Sequence, residues 1–122
     1  MYEIKVVAFF SSAHYLREYK GKCENLHGHN WKVEATVASE TVDGSGLVMD
    51  FGDLKKNLKA ILDDLDHKLI NDIEFFKTHN PTSEHMAFYI FQCLKEKIAV
   101  AGRRVKRVDV WETRDSRASY YE

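Results

Sequence analysis

The sequence predicts an α+β fold in which an antiparallel sheet carries two helices on one face. Segments with alternating apolar and polar residues come early in the chain, two segments with helical spacing follow, and one more alternating segment comes last. Strands grouped before helices are typical of antiparallel sheets, whereas strict alternation of strands and helices would predict a parallel sheet. The predicted order is β, β, β, α, α, β, within a single domain spanning residues 1–122.

Four segments are predicted to be strands: residues 2–10, about 29–38, 47–49 and about 104–113. A period of two places alternate side chains on one face of a strand. The short third strand is expected to follow a turn at residues 42–47, where glycines and an aspartate favour a reversal. The apolar residues expected to face inward in the longer strands are Ile4, Val6, Ala8, Phe10, Trp31, Val33, Ala35, Val37, Val108 and Val110.

Two helices are predicted from apolar residues spaced by three and four positions. Asp50 or Asp53 is expected to cap the first helix, which ends near Asp66. The second helix begins at residues 80–84, where a proline is tolerated in the first turn and Glu84 favours the positive end of the helix dipole. The buried stripes of the two helices comprise Leu54, Leu58, Ile61, Leu62 and Leu65, then Ala87, Ile90, Phe91, Leu94 and Ile98.

The composition excludes two classes of partner. The 122 residues include 18 Lys and Arg and 19 Asp and Glu, a net charge of −1, which lacks the basic excess of a nucleic-acid or membrane-surface binder. The longest apolar run, residues 86–91, is far shorter than the about 20 residues of a membrane span. Because the first residues, Tyr2 to Val6, lack the basic start and long apolar stretch of a secretory signal, we expect a cytoplasmic protein. Cys23 and Cys93 are then expected to be free thiols.

Three histidines indicate a metal site. His27 and His29 are two residues apart, so an extended chain presents both imidazoles on one face, and Gly28 leaves the space between them open. Both are an even number of residues from Trp31, so they face the same side as Trp31. His14 likewise continues the series of inward-facing positions in the first strand. Three imidazoles without a fourth protein ligand are typical of a catalytic zinc, which keeps one position open for water or substrate.

Cys23, four residues before His27, has several possible roles. As a fourth ligand it would complete a closed structural site, and as a base or nucleophile it would need a lowered pKa, which a nearby zinc ion or imidazolium could supply. It could also be an ordinary thiol. Cys93 lies beside the apolar stripe of the second helix, so we expect a buried, unreactive thiol.

Asp66-His67 and Glu112 are further candidates. A carboxylate beside an imidazole can act as a proton relay, although a histidine at a helix end is also favoured by the helix dipole. Glu112 is an even number of residues from the inward-facing valines, so its carboxylate should also face inward. A carboxylate in that position needs a partner. A ligand with two adjacent N–H donors would satisfy both oxygens, and Arg114 or Arg117 is the structural alternative.

Taken together, these motifs resemble the 6-pyruvoyl-tetrahydropterin synthase family, most closely its bacterial branch that forms 6-carboxy-5,6,7,8-tetrahydropterin for queuosine biosynthesis. The resemblance implies the tunnelling fold (T-fold), in which protomers join their sheets into a ring, and a homohexamer of two trimers with active sites between protomers. The motifs that carry it are Ala13-His14, Cys23-x-x-x-His27-Gly28-His29, Asp50-Phe51, Leu65-Asp66-His67, Asn80-Pro81-Thr82-Ser83-Glu84 and Glu112-Thr113, with Tyr120 beyond.

The resemblance also implies a role for each motif. A zinc ion is expected on three histidines, a catalytic thiol on one side of the substrate, a second catalytic group on the other side, and a carboxylate that anchors the pterin ring. The matching residues are His14, His27 and His29 for zinc, Cys23 for the thiol, Asp66 and His67 for the second group, Glu112 for the anchor, and Thr82, Ser83 and Glu84 for further pterin contacts.

The implied reaction converts 7,8-dihydroneopterin triphosphate to 6-carboxy-5,6,7,8-tetrahydropterin with release of acetaldehyde and triphosphate. The pyruvoyl reaction is the next alternative. Glu24 also matches the Glu-x-x-His-Gly-His pattern of a branch that releases 6-hydroxymethyl-7,8-dihydropterin, so a dual activity is a third. A zinc-stabilised binding module without turnover is an alternative of another class. Arg17, Lys20 and Lys22 are candidate contacts for the triphosphate.

Overall fold

The computed structural model describes residues 1–20 and 24–122, and its strands form one antiparallel sheet in the order β1-β2-β3-β4. The strands are β1 (Tyr2–His14), β2 (His27–Ser39), β3 (Arg103–Thr113) and β4 (Ser116–Tyr121). The helices are α1 (Phe51–Asp63), α2 (Glu74–Thr78) and α3 (Ser83–Lys97), and a short 3-10 turn, Ile70–Asp72, precedes α2. This architecture confirms the predicted antiparallel sheet, and it adds α2 and the 3-10 turn to the two predicted helices.

One face of the sheet packs against α1 and α3 and forms the hydrophobic core. All of the residues predicted to face inward are buried there except Ile4, which is partly buried, and both predicted helix stripes are buried with them. Full burial of a large aliphatic or aromatic side chain contributes about 1.5–3 kcal/mol, so this face dominates the stability. On the opposite face of the sheet, Phe9 is 69% exposed.

Side-chain caps set where the two longer helices begin. Asp50, one of the two predicted caps, accepts hydrogen bonds from the backbone N–H groups of Gly52 and Asp53 at 2.7 and 3.2 Å. Thr82 caps α3 through a bond from the N–H of His85 at 3.1 Å. α1 ends at Asp63, before the predicted end near residue 66.

The predicted strands differ from the structure in bounds and in number. β1 extends to His14 instead of ending at residue 10, and β2 begins at His27 instead of about residue 29. Residues 47–49 form no strand, and residues 48 and 49 are bends. The Asp43 side chain accepts hydrogen bonds from the N–H groups of Ser45 and Leu47, and the Asp43 N–H bonds to Leu47 O, so this loop satisfies its polar groups locally. β4 was not predicted, because only Ala118 and Tyr120 alternate on its inner face. α2 and the 3-10 turn were not predicted either.

Strand register brings the candidate metal ligands together. His14 pairs with His27, and Ser12 pairs with His29, at one end of the β1–β2 ladder. The last β2–β3 pair joins Lys32 to Trp111, so Glu112 follows at the same end of the sheet. These side chains share the helix-covered face and lie at its rim.

Within residues 1–20 and 24–122, no helix is long and apolar enough to span a bilayer.

Candidate metal site

His14, His27, His29 and Glu112 form a cluster that could hold a metal ion. One ligand atom from each lies within 4.8 Å of all the others. The two Nε2 atoms of His14 and His27 are 3.1 Å apart, and Glu112 Oε1 lies 3.4 Å from Nε2 of both His14 and His29. Ligand atoms that lie about 2.0–2.1 Å from a zinc ion are about 3.3–3.4 Å apart in a tetrahedron. The observed separations therefore fit a single ion.

Hydrogen bonds to backbone carbonyls orient two of the imidazoles. His14 Nδ1 lies 2.8 Å from the carbonyl oxygen of Pro81, and His27 Nδ1 lies 2.8 Å from that of Asn25. Because a carbonyl oxygen only accepts, Nδ1 is the donor in each bond, and the lone pair available to a metal is on the Nε2 that faces the cluster. Two lone pairs 3.1 Å apart repel each other unless a cation lies between them.

His29 gives independent support for a cation. Its Nε2 is buried and has no hydrogen-bond partner within the described residues. A buried polar atom without a partner is costly, and coordination of a metal ion would satisfy it. The donor set of three imidazoles and one carboxylate is one that zinc accepts.

The interior position of His14 favours the form that binds metal. The residue is 1% exposed. Burial lowers the pKa of His14, and the neighbouring His27 lowers it further, against the opposing effects of the Pro81 carbonyl and Glu112. A lowered pKa keeps the imidazole neutral near pH 7, and a neutral imidazole is the metal ligand.

Glu112 does not pair with either arginine proposed as its structural partner. Arg117 instead lies 3.5 Å from the buried carboxylate of Asp109, and the ionic contacts of Glu112 among the described residues are with His14 and His29. Sequence reasoning therefore missed how close this carboxylate lies to the imidazoles. The sequence signal that could have shown this was the inward-facing position of Glu112 on β3, because β3 ends where the histidines lie.

Asp66 and His67 form the predicted carboxylate–imidazole pair, with 2.9 Å between Asp66 Oδ2 and His67 Nδ1. The Ser11 backbone N–H, 2.8 Å from Asp66 Oδ1, and then the His67 contact lower the pKa of Asp66. His67 has a φ of +54° and an imidazole that is 81% exposed. It lies four residues beyond Asp63, the end of α1, too far for the helix dipole to explain it.

The structure does not bring this pair into the cluster. Residues 66–69 lie along the outer edge of β1, where the N–H of His67 bonds to Ser11 O and the N–H of Ala13 bonds to Lys68 O. Across the described ranges, no hydrogen bond or ion pair connects Asp66 or His67 with the four clustered residues. A non-glycine residue at positive φ is held only where its surroundings require it, and such residues often occur at functional sites.

The other candidates surround the cluster. Glu24 is half-buried, and its Oε1 lies 3.6 Å from His27 Nδ1. Ser83 and Glu84 line a surface cavity of about 370 Å³ together with Glu112. The Thr82 hydroxyl is occupied as the cap of α3.

The remaining candidates are the thiol of Cys23 and the proposed triphosphate contacts Arg17, Lys20 and Lys22. Cys23 and Lys22 lie outside the described residues. The Arg17 guanidinium donates hydrogen bonds to the carbonyl oxygens of Phe76 and His79, so it supports the fold instead of facing an open site. Cys93 in α3 is partly buried instead of fully buried as expected, and burial raises the pKa of its thiol.

Comparison with known proteins identifies the family. Residues 3–122 match the 6-pyruvoyl tetrahydropterin synthase family. The chain is 39% identical over 117 residues to the 6-carboxy-5,6,7,8-tetrahydropterin synthase of Synechocystis sp., covering 92% of this chain and 87% of that protein. It is 40% identical over 97 residues to the 6-pyruvoyl tetrahydrobiopterin synthase of Homo sapiens, covering 76% and 66%. The Caenorhabditis elegans 6-pyruvoyl tetrahydropterin synthase structure matches with a TM-score of 0.87 and 34% identity, covering 99% of this chain and 95% of that one. The chain therefore belongs to the 6-pyruvoyl tetrahydropterin synthase family.

Proposed function

We propose that this protein is a cytoplasmic, zinc-dependent 6-carboxy-5,6,7,8-tetrahydropterin synthase of queuosine biosynthesis. It converts 7,8-dihydroneopterin triphosphate to 6-carboxy-5,6,7,8-tetrahydropterin and releases acetaldehyde and triphosphate. The observation that carries the proposal is the convergence of three imidazoles beside Glu112 in a chain of this family. The similarity to the Synechocystis enzyme and the Cys23-x-x-x-His27-Gly28-His29 pattern support this product over the alternatives.

The site divides substrate binding between two kinds of group. His14, His27 and His29 would hold zinc, which supplies Lewis-acid chemistry that polarises the substrate's side-chain hydroxyls and acidifies the adjacent C–H bonds. Glu112 accepts the ring N–H and the exocyclic amino group of the pterin in bidentate fashion. Ser83 and Glu84, which share a cavity with Glu112, add contacts to the same ring.

Proton transfer falls to groups on either side of the substrate. The Asp66 carboxylate holds the Nδ1 proton of His67, so that Nε2 is left to take up or deliver a proton. The family resemblance assigns the second proton transfer to the Cys23 thiol, whose thiolate is the reactive form. In this scheme Asp66 is a positioning residue for His67.

The position of His67 favours an active site shared between protomers. Its imidazole is 81% exposed at the outer edge of β1, away from the cluster of the same chain. β1 and β4 are the two edge strands of the sheet, and edge strands are where sheets extend between subunits. We therefore propose a homohexamer, built as a dimer of trimers, in which His67 completes a site on a neighbouring protomer.

Glu24 supports a second candidate reaction. Its carboxylate lies 3.6 Å from Nδ1 of His27, the ring nitrogen opposite the Nε2 that faces the cluster. A carboxylate beside the site can act as a base on a substrate hydroxyl. That reaction would release 6-hydroxymethyl-7,8-dihydropterin from the same substrate. The pyruvoyl reaction is the alternative favoured by similarity to the human enzyme.

Variants of Cys23 and Glu24 separate these reactions. Zinc-loaded wild-type, Cys23→Ala, Glu24→Ala and doubly substituted proteins are incubated with 7,8-dihydroneopterin triphosphate, and the pterin products are separated by chromatography. We expect Cys23→Ala to keep its zinc and lose the carboxy product, and Glu24→Ala to retain most of that product. Full carboxy product from Cys23→Ala would remove the thiol from the mechanism. Loss of zinc and fold from Cys23→Ala would indicate a structural site with four protein ligands, as in a binding module without turnover.

A further inference from the structure

The carbonyl group that orients His14 belongs to a short connection between α2 and α3. Pro81 O accepts the hydrogen bond from His14 Nδ1 at 2.8 Å, and both residues are buried. This bond holds the proton on Nδ1 and turns Nε2 toward His27 and Glu112. The position of the Pro81 carbonyl therefore sets the position of one metal ligand.

Asn80 holds this connection against the chain that follows His14. Its carboxamide makes two hydrogen bonds to the backbone of Arg17: Oδ1 accepts from Arg17 N at 2.8 Å, and Nδ2 donates to Arg17 O at 3.0 Å. The backbone carbonyl of Asn80 also accepts from His85 Nδ1 at 2.7 Å and from Thr82 N at 2.8 Å. Asn80 is thus fixed by its side chain on one side and by α3 on the other.

These contacts close a ring of bonds around His14. The ring runs from the His14 imidazole to Pro81 O, along the chain to Asn80, through its carboxamide to Arg17, and back along the backbone to His14. Removing the carboxamide breaks this ring at the two bonds between Asn80 and the Arg17 backbone. The Pro81 carbonyl is then held less firmly against Nδ1, although the bonds of the Asn80 backbone to His85 and of the Arg17 guanidinium to His79 O remain.

Asn71 provides a matched comparison. Its carboxamide makes the same pair of bonds with Tyr15, accepting from Tyr15 N at 3.0 Å and donating to Tyr15 O at 2.9 Å. Asn71 lies in the 3-10 turn before α2, and both its side-chain bonds go to Tyr15. It therefore supports the same stretch of chain without reaching the Pro81 carbonyl.

We propose that Asn80 is a positioning residue of the metal site, which raises zinc affinity by holding Pro81 O against His14 Nδ1. The inference rests on the proposed function, because it requires that the cluster bind zinc. Loss of an outer-shell partner of a metal-ligating histidine typically weakens metal binding by about 10- to 100-fold. Because Asn80→Ala leaves the Pro81 carbonyl itself in place, we expect its zinc affinity to fall near the lower end of this range, about 10- to 30-fold.

The test compares Zn²⁺ dissociation constants of the full-length wild-type, Asn80→Ala, Asn80→Asp and Asn71→Ala proteins, by competition with a chromophoric chelator at pH 7. Urea unfolding of the metal-free proteins measures their stabilities in parallel. Asp at position 80 keeps the bond from Arg17 N and loses the bond to Arg17 O, so we expect a smaller loss of affinity, roughly 2- to 10-fold. Asn71→Ala should be destabilised in urea yet bind Zn²⁺ within about 3-fold of wild type, a difference of under 1 kcal/mol.

The outcomes separate this inference from the proposed function. Equal affinity of the wild-type and Asn80→Ala proteins would overturn the inference alone, as would an equal loss in Asn71→Ala, which would indicate general loosening of the chain. If Asn80→Ala does not fold, Asn80→Asp decides, and wild-type affinity in that variant would overturn the inference. A wild-type protein that binds no Zn²⁺ would overturn the proposed metal site, and this inference with it.

Discussion

Substitution of Glu112 by glutamine separates two roles that the structure allows for this carboxylate. Its Oε1 lies 3.4 Å from Nε2 of both His14 and His29, so it could be a fourth metal ligand, yet it also lines the cavity proposed for the pterin ring. The amide has nearly the same shape but presents an N–H where the pterin also presents one. We expect Glu112→Gln to fold, to keep zinc on the three imidazoles, and to bind pterin weakly.

The expected loss of pterin affinity follows from the chemistry of the lost contact. Removal of one charged partner from a buried hydrogen-bonded pair costs about 2–5 kcal/mol, which corresponds to about 30-fold or more in affinity. Pterin affinity is measured by fluorescence titration of the zinc-loaded protein, and zinc content by elemental analysis. Glu34→Gln is the matched control, because Glu34 is a half-buried carboxylate on the opposite face of the sheet, 3.2 Å from Lys5. Unchanged pterin affinity in Glu112→Gln, or loss of its zinc, would refute the assignment of Glu112 as the pterin anchor.

Three further predictions concern the metal, the core and the acid side of the stability profile. His27→Ala should lower zinc affinity by more than about 100-fold, because removal of a direct ligand exceeds the effect of removing its outer-shell partner, and stoichiometric zinc in the purified variant would contradict this. Leu58→Ala, at a fully buried position of α1, should lower the free energy of unfolding by about 2–5 kcal/mol in urea titrations, and a change below 1 kcal/mol would contradict the described core. Because folding lowers the pKa of Asp66, its ionised carboxylate stabilises the fold above the unfolded pKa of about 4, and this contribution is lost as the pH falls through the folded pKa. Wild-type stability should therefore fall more steeply than that of Asp66→Asn below about pH 4, and parallel profiles would contradict the described contacts.

Much of the candidate metal site could be predicted from the sequence because side chains of a strand face the same side every two residues. Once β1 and β2 were assigned, parity alone placed His14, His27 and His29 on the helix-covered face, and the antiparallel register brings His14 opposite His27. The proximity of Glu112 to the imidazoles was within reach of the same reasoning. It was missed because the register of β3 against β2 is a long-range property.

Other parts of the fold depend on contacts that the spacing of apolar residues in the sequence does not reveal. The bends at residues 48 and 49 follow from the Asp43 side chain, which closes the preceding loop. The paired bonds of Asn71 and Asn80 join positions far apart in the chain, and each looks like an ordinary loop residue in the sequence. The edge position of His67 likewise depends on backbone bonds to Ser11.

The most direct test of the proposed reaction is product identification. The zinc-loaded wild-type protein is incubated with 7,8-dihydroneopterin triphosphate, and the pterin and the released carbon fragment are identified by mass spectrometry, beside a sample from which a chelator has removed the metal. We predict 6-carboxy-5,6,7,8-tetrahydropterin and acetaldehyde from the zinc-loaded protein and unchanged substrate after metal removal. Unchanged substrate in both samples, or equal turnover without metal, would contradict a zinc-dependent pterin synthase.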